Sequence, residues 1–228
     1  MLPSLCAVCR SWGRGRLCRA CIERFGAEQP RCRRCSLEVP AGVTTCGACL
    51  LDPPPFESTL AVATYGFPWD RLITAFKYHG ALDLAPSLAE QIAAVARRHP
   101  ELAPSLLIPV PLHPARLRER GYNQAWELAR RLGRRLHCKA DPTLLLRIRD
   151  TPRQLALAAA ERPANVRGAF AIEPRRRAAL RDVAVALVDD VMTTGATATE
   201  IATVLLAAGA ARVDVWVVAR TPPPDLAS

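Results

Sequence analysis

A chain of 228 residues, half of them hydrophobic, can bury one sizeable core and carry one small extra module. Its formal net charge is +10, and it holds nine cysteines. No stretch resembles a membrane span, and the start, Met1 to Arg16, lacks the charged head and apolar run of a secretory signal. The chain is therefore expected in the cytoplasm with no membrane insertion, where reduced thiols point to metal rather than to disulfides.

Residues 1–52 hold eight cysteines and few long apolar runs, too little for an ordinary core. The cysteines form four C-x-x-C pairs: Cys6 and Cys9, Cys18 and Cys21, Cys32 and Cys35, Cys46 and Cys49, separated by 8, 10 and 10 residues. Each pair sets two thiolates at tetrahedral spacing on one side of a metal, and a second pair completes the shell. Eight ligands suffice for two closed structural zinc sites. Neighbouring pairs would make a double zinc ribbon; the spacing also permits a crossed arrangement. A thioredoxin-like redox role is disfavoured, since that motif should follow a strand of a larger sheet. Cys138, alone after a helical pattern, reads as a buried thiol.

Asp52-Pro53-Pro54-Pro55 reads as a stiff extended linker, placed over residues 53–58. The remaining 59–228 alternates short apolar runs with helical patterns, which predicts an α/β domain with a parallel sheet. Strands are expected at 60–66, 106–111, 183–190 and 212–220, with 143–148 a further candidate. Helices are expected over 69–80, 84–98, 123–137 and from Thr197 to Ala208.

The basic charge is uneven. Residues 110–181 carry a net +11, against +4 for 1–52, −1 for 53–109 and −4 for 182–228. Only Lys77 and Lys139 are lysines, so a compositional bias toward arginine accounts for the residue type. The concentration in one block is what suits a polyanion such as pyrophosphate or a nucleic-acid backbone.

Asp189-Asp190-Val191-Met192-Thr193-Thr194-Gly195-Ala196-Thr197 lies between a buried strand and a helix. Two carboxylates at a strand end can accept hydrogen bonds from vicinal sugar hydroxyls. The turn after them offers backbone N–H groups and threonine hydroxyls to a phosphate at a helix N-terminus. The alternative is an ordinary turn with capping threonines. No Walker-type phosphate loop exists in the chain.

This segment resembles the phosphoribosyl-pyrophosphate (PRPP) motif of type I phosphoribosyltransferases. With the cysteine pairs, Phe76-Lys77-Tyr78, the run from Pro109 to Gln124, and Thr151 to Phe170, it resembles the ComF family over nearly the whole chain. The resemblance implies a type I phosphoribosyltransferase-like sheet behind the zinc module. It implies that Asp189 and Asp190 hold the ribose hydroxyls and that Thr193, Thr194, Gly195, Ala196 and Thr197 cradle the 5′-phosphate. Arg116, Arg120, Asn123 and Gln124 would face the pyrophosphate, with Lys77 a further candidate and His113 structural. Arg153, Gln154 and Arg162 would belong to a catalytic loop closing over the leaving pyrophosphate; the weaker alternative for that segment is a solvated linker. Magnesium would arrive with PRPP, held chiefly by substrate oxygens and water.

Two functions are compatible with these residues. The ComF resemblance implies DNA uptake for transformation or DNA utilisation, with single-stranded DNA on the basic surfaces and other DNA-uptake proteins, such as a competence helicase, as partners. Trp12, Phe25, Tyr122 and Trp126 are candidate stacking platforms or core residues. Alternatively the chain is a phosphoribosyltransferase acting on a small nitrogenous acceptor, with the zinc module purely structural. Glutamine-dependent amide transfer is disfavoured: Leu2, not a cysteine, follows Met1, and no glutaminase segment is present. Whether any reaction is catalysed stays open.

Overall fold

The computed structural model describes residues 3–149 and 166–223. The cysteine-rich segment is built twice on one plan. Strands β1 (Pro3–Leu5) and β2 (Trp12–Arg14) pair antiparallel around the Cys6–Cys9 turn, and helix α1 (Arg19–Phe25) starts directly after Cys18. In the second half a single antiparallel bridge, Arg31 to Glu38, brackets the Cys32–Cys35 turn, and helix α2 (Gly47–Leu51) starts after Cys46. Both turns close with a left-handed residue, Arg10 and Ser36, whose N–H returns to the carbonyl of Cys6 or Cys32.

The main sheet has five parallel strands: β3 (Ser58–Thr64), β4 (Leu106–Pro109), β5 (Lys139–Ala140), β8 (Ala184–Met192) and β9 (Arg212–Arg220), in the order β3-β9-β8-β4-β5. Its central strands are buried apolar runs because helices cover both faces. Helices α3 (Trp69–Tyr78), α4 (Ala85–Arg97) and α6 (Gln124–Leu136) lie on one face, and α7 (Ala196–Ala207) lies on the other. Handedness explains the division. The chain steps from β3 to β4 to β5 in one direction across the sheet and from β8 back to β9 in the other, so right-handed crossovers fall on opposite faces. The reversal lies between the adjacent strands β4 and β8, which is where an open α/β sheet leaves a crevice at its carboxyl edge.

The short helix α5 (Pro114–Arg120) follows β4; it has no buried residue, so the apolar spacing gave no sign of it. His113 caps its start by accepting from the Ala115 N–H, and Gly121, at φ +82°, ends it. The candidate strand at 143–148 forms as β6 (Leu145–Arg147), but it pairs antiparallel with β7 (Phe170–Ile172) as a separate ribbon outside the main sheet.

The two cysteine clusters dock on opposite faces. The first packs against α3, where Trp69 Nε1 donates to the Phe25 carbonyl at 2.8 Å. The second joins the core beneath α7 together with Phe56. Its residues 33 and 34 also cover the open edge of β3: Thr59 N–H donates to Arg33 and Thr59 Oγ1 to Arg34. A sheet edge left bare would invite pairing with another chain. No described helix is long and apolar enough to cross a membrane.

Candidate functional site

The cysteine pairs meet as neighbours: Cys6, Cys9, Cys18 and Cys21 form one cluster, and Cys32, Cys35, Cys46 and Cys49 the other, with the four sulfurs of each within 4.8 Å of one another. The crossed arrangement is therefore excluded. Cys9 and Cys18 lie 3.6 Å apart, as do Cys35 and Cys46, close to the edge of about 3.8 Å that a zinc–thiolate tetrahedron with 2.3 Å bonds requires. The Cys18 and Cys46 N–H groups donate to the sulfurs of Cys6 and Cys32 at 3.4 and 3.3 Å, which favours thiolate there. The protonation balance agrees. The Ser11 hydroxyl holds Cys9 down to about 6, while burial and neighbouring thiols push Cys21 up to about 12. Burial likewise drives Cys35 up to about 11 and raises Cys49. Thiols packed this closely cannot all ionise without a cation among them, so each donor set fits one zinc ion.

A cavity of about 520 Å³ opens at the carboxyl ends of β8 and β4, at the strand-order reversal. Its floor is Leu187, Asp189 and Val191 of β8 with Val215 and Val217 of β9. Thr193, Gly195, Ala196 and Thr197 form one wall. Gly195, at φ +86°, makes the turn into α7 that a residue with a Cβ would strain. Thr194 Oγ1 accepts from the Ala196 N–H at 3.3 Å and so shapes the same turn.

The two carboxylates point to opposite sides of β8, as successive residues of a strand must. Asp189 faces the cavity and accepts from the Asp190 N–H at 2.8 Å. Asp190 is 1% exposed and receives Lys77 Nζ from α3, 3.1 Å from Oδ1 and 3.0 Å from Oδ2. Burial, then the charge of Asp190, raises Asp189 well above the usual carboxylate range. Burial alone would raise Asp190 too, but the Lys77 ammonium holds it below. The pair thus carries one firmly ionised carboxylate and one that takes up a proton readily.

Arg116, Arg120, Gln124 and Arg147 also line the cavity. Arg120 lies over the Tyr78 ring at 5.3 Å and donates to Gln124 Oε1 at 2.5 Å. Asn123 does other work: its Oδ1 accepts from the N–H groups of Ala125 and Trp126, and its Nδ2 donates to the Val110 carbonyl, so it caps α6 and fastens it to β4. Arg153, Gln154 and Arg162 lie outside the described residues.

Of the aromatic candidates, Trp12 is 74% exposed on β2 and Trp126 packs against the α4–α6 core. Phe25 meets Phe67 edge-on, and Tyr122 lines the cavity with its hydroxyl donated to the Phe76 carbonyl. Cys138 is half-buried, its thiol raised by that burial. The sequence reading missed that Tyr65, Tyr78 and Tyr122, the only tyrosines of the chain, all line the cavity. It also gave no role to Arg220, which reaches the start of the threonine turn.

No protein-family model matches the sequence. The DNA utilization protein YhgH of Escherichia coli K12 is 35% identical over 230 residues, covering 96% of this chain and 98% of that protein. Competence protein F of Haemophilus influenzae is 33% identical over 214 residues, covering 90% of each. Among solved structures, the glutamine PRPP amidotransferase of B. subtilis aligns with a TM-score of 0.41 at 20% identity, over 64% of this chain and 30% of that one. With relatives at 35% and 33% identity aligned over 96% and 90% of its length, the chain belongs to the ComF family.

Proposed function

We propose that the cavity binds PRPP with magnesium, and that the protein serves DNA uptake or utilisation by handling single-stranded DNA. The observation that carries the first part is the juxtaposition, in one cavity at the strand-order reversal, of Asp189, a left-handed Gly195 turn at a helix N-terminus, and the Arg116–Arg120 wall. Asp189 would take the ribose hydroxyls and Thr193 to Thr197 the 5′-phosphate. Arg116 and Arg120 would balance the pyrophosphate, whose oxygens bring the magnesium. Magnesium supplies charge neutralisation of the leaving group. The chain's own part is to fix the ribose, grip both phosphate ends and keep Asp190 ionised through Lys77. The second part rests on the relatives: proteins called DNA utilization protein and competence protein F align over nearly the full chain. The +11 block is the surface to which a strand would bind.

Titration calorimetry with PRPP and magnesium tests the cavity. Binding by the parent, and none by Asp189→Asn with Asp190→Asn at unchanged zinc content, is expected; parent affinity in that variant refutes the assignment. Anisotropy of a labelled single-stranded oligonucleotide at two salt concentrations, with and without PRPP, tests the DNA role. No binding at low salt defeats it.

The three tyrosines favour a second reading, a phosphoribosyltransferase with a planar nitrogenous acceptor, because aromatic walls suit flat rings. Pyrophosphate release in a screen of nitrogenous bases is its test.

A further inference from the structure

Arg220 ends β9, a strand otherwise built to be buried, and its side chain is charged yet only 6% exposed. Its guanidinium is enclosed by backbone carbonyls from two parts of the molecule. Nε donates to the Cys35 carbonyl at 2.8 Å, inside the second cysteine cluster. Nη1 donates to Met192 at 3.1 Å, to Thr193, and to Thr221 at 2.7 Å. Met192 and Thr193 are the residues by which β8 runs into the Gly195 turn.

We infer that Arg220 is a positioning residue that couples the second cysteine cluster to the phosphate-binding turn. Metal at Cys32, Cys35, Cys46 and Cys49, and not at the first cluster, then governs the order of that turn and its hold on a phosphorylated ligand. This rests on the proposed phosphate role of the turn.

Two physical points carry the inference. First, a trans peptide sets its C=O and N–H in opposite directions. Drawing the Met192 and Thr193 carbonyls toward Arg220 therefore turns the N–H groups of Thr193 and Thr194 away from it. The guanidinium thus fixes the orientation of the donors with which the turn begins. Second, the Cys35 carbonyl belongs to a turn that carries two of the four sulfur ligands, so metal adds a cross-link to the few backbone bonds that hold it. When those sulfurs lose their metal, the anchor for Nε loses that cross-link and is held less firmly. Among the described residues the first cluster has no such path: it docks on α3 through Phe25 and Trp69, on the other face of the sheet.

The test uses the full-length, zinc-loaded chain and four variants: Arg220→Met, Arg220→Lys, Cys46→Ser with Cys49→Ser, and Cys18→Ser with Cys21→Ser. Amide hydrogen exchange is followed over residues 191–197 and at Thr221, with α4 as the reference, alongside zinc content and PRPP–magnesium affinity. Arg220→Met, retaining both zinc ions, and the Cys46/Cys49 variant are expected to speed exchange in the turn and weaken PRPP by about tenfold or more, as the loss of charge-assisted buried bonds implies. Exchange in α4 should stay at the parent rate. Arg220→Lys should recover part of the loss, because an ammonium can serve some of the carbonyls but not the fork. The Cys18/Cys21 variant should leave the turn within about twofold of the parent, no bond to the turn being lost. Parent-like exchange in Arg220→Met, or equal loosening by the first-cluster variant, overturns the coupling. If the parent itself fails to bind PRPP, the ligand reading falls while the exchange rates still decide the coupling. If the Cys46/Cys49 variant does not fold, Arg220→Met with its full zinc content decides alone.

Discussion

Replacing Lys77 by methionine keeps a flexible stem of similar length and removes the one ammonium at the Asp190 carboxylate. Asp190 cannot turn to water: it sits on the covered face of β8, beneath α3 and α6. Breaking a buried ion pair from one side costs about 3–5 kcal/mol, because a charge is left uncompensated. Lys77 keeps 24% of its side-chain surface, which lets water screen part of the pair, so the expected loss is about 3 kcal/mol, at the low end of that range. In a chain of this size the melting temperature should fall by roughly 6–12 °C. The pH dependence fixes the cause. Without Lys77 the chief group holding the folded-state pKa of Asp190 down is gone, and burial carries it above its unfolded value. A carboxyl of that kind weighs against the fold when ionised and ceases to do so once protonated, so the loss is full near neutrality and shrinks as pH falls toward about 4–5. Urea unfolding at about pH 7.5 and pH 5 measures both points. The double change Lys77→Met with Asp190→Asn should recover most of the stability. A Lys77→Met protein as stable as its parent near neutrality, or a loss independent of pH, refutes the reasoning.

Asn123→Ala removes the α6 cap and its tie to Val110, and should cost about 1–2 kcal/mol in chemical denaturation while leaving zinc content unchanged. Ser58→Ala takes the 2.6 Å hydroxyl from Asp214, a fully buried carboxylate that burial already holds above its usual range. The expected loss, about 1–3 kcal/mol near neutrality, should diminish on acidification, since protonation relieves a buried carboxylate left with Arg212 as its side-chain partner. Cys18→Ser with Cys21→Ser should leave one zinc ion per chain by metal analysis and raise proteolytic cutting within residues 1–25; retention of two ions would refute the ligand set.

The elements that could be read in the sequence are those whose burial leaves a continuous apolar run or a period. The run Arg212 to Arg220 is one such strand, and α6 shows its apolar face at helical spacing. Helix α5 could not be read because it has no apolar face; Pro114, the His113 cap and Gly121 hold it instead. Strand β8 runs two residues past its acids because Val191 and Met192 keep their register with Ala219 and Arg220, a fact about the neighbouring strand. The pairing of the cysteines has the same character. Gaps of 8, 10 and 10 residues allow either arrangement, and the β1–β2 hairpin and the Arg31–Glu38 bridge decide it. At the site, the motif announced both carboxylates but not that α3 would claim one of them with Lys77. A buried arginine at the end of an apolar strand is a signal of its own: such a side chain needs several carbonyls, and those of Arg220 come from two modules.

The arginine-rich block asks for a finer account than its net +11. Arg130 and Arg131 share Glu127, Arg135 reaches Glu90 from the preceding segment, and Arg176 clamps Asp141. Arg149 and Arg177 instead donate to carbonyls, of Arg167 and Ala207, and keep their charge. Part of the excess is thus held in place by the scaffold, on planar groups that meet phosphate oxygens two at a time. A strand bound there would lose little further side-chain freedom, and its affinity would fall with salt by about 0.7 log units per decade for each phosphate neutralised. Among the described residues, the cavity lining with Arg116, Arg120 and Arg147 is the part of this block that PRPP would also claim. A salt slope unchanged by PRPP would therefore put the strand on the scaffold arginines alone. A slope that drops when PRPP is added would mean that the strand and the sugar phosphate compete for the same cavity guanidinium groups.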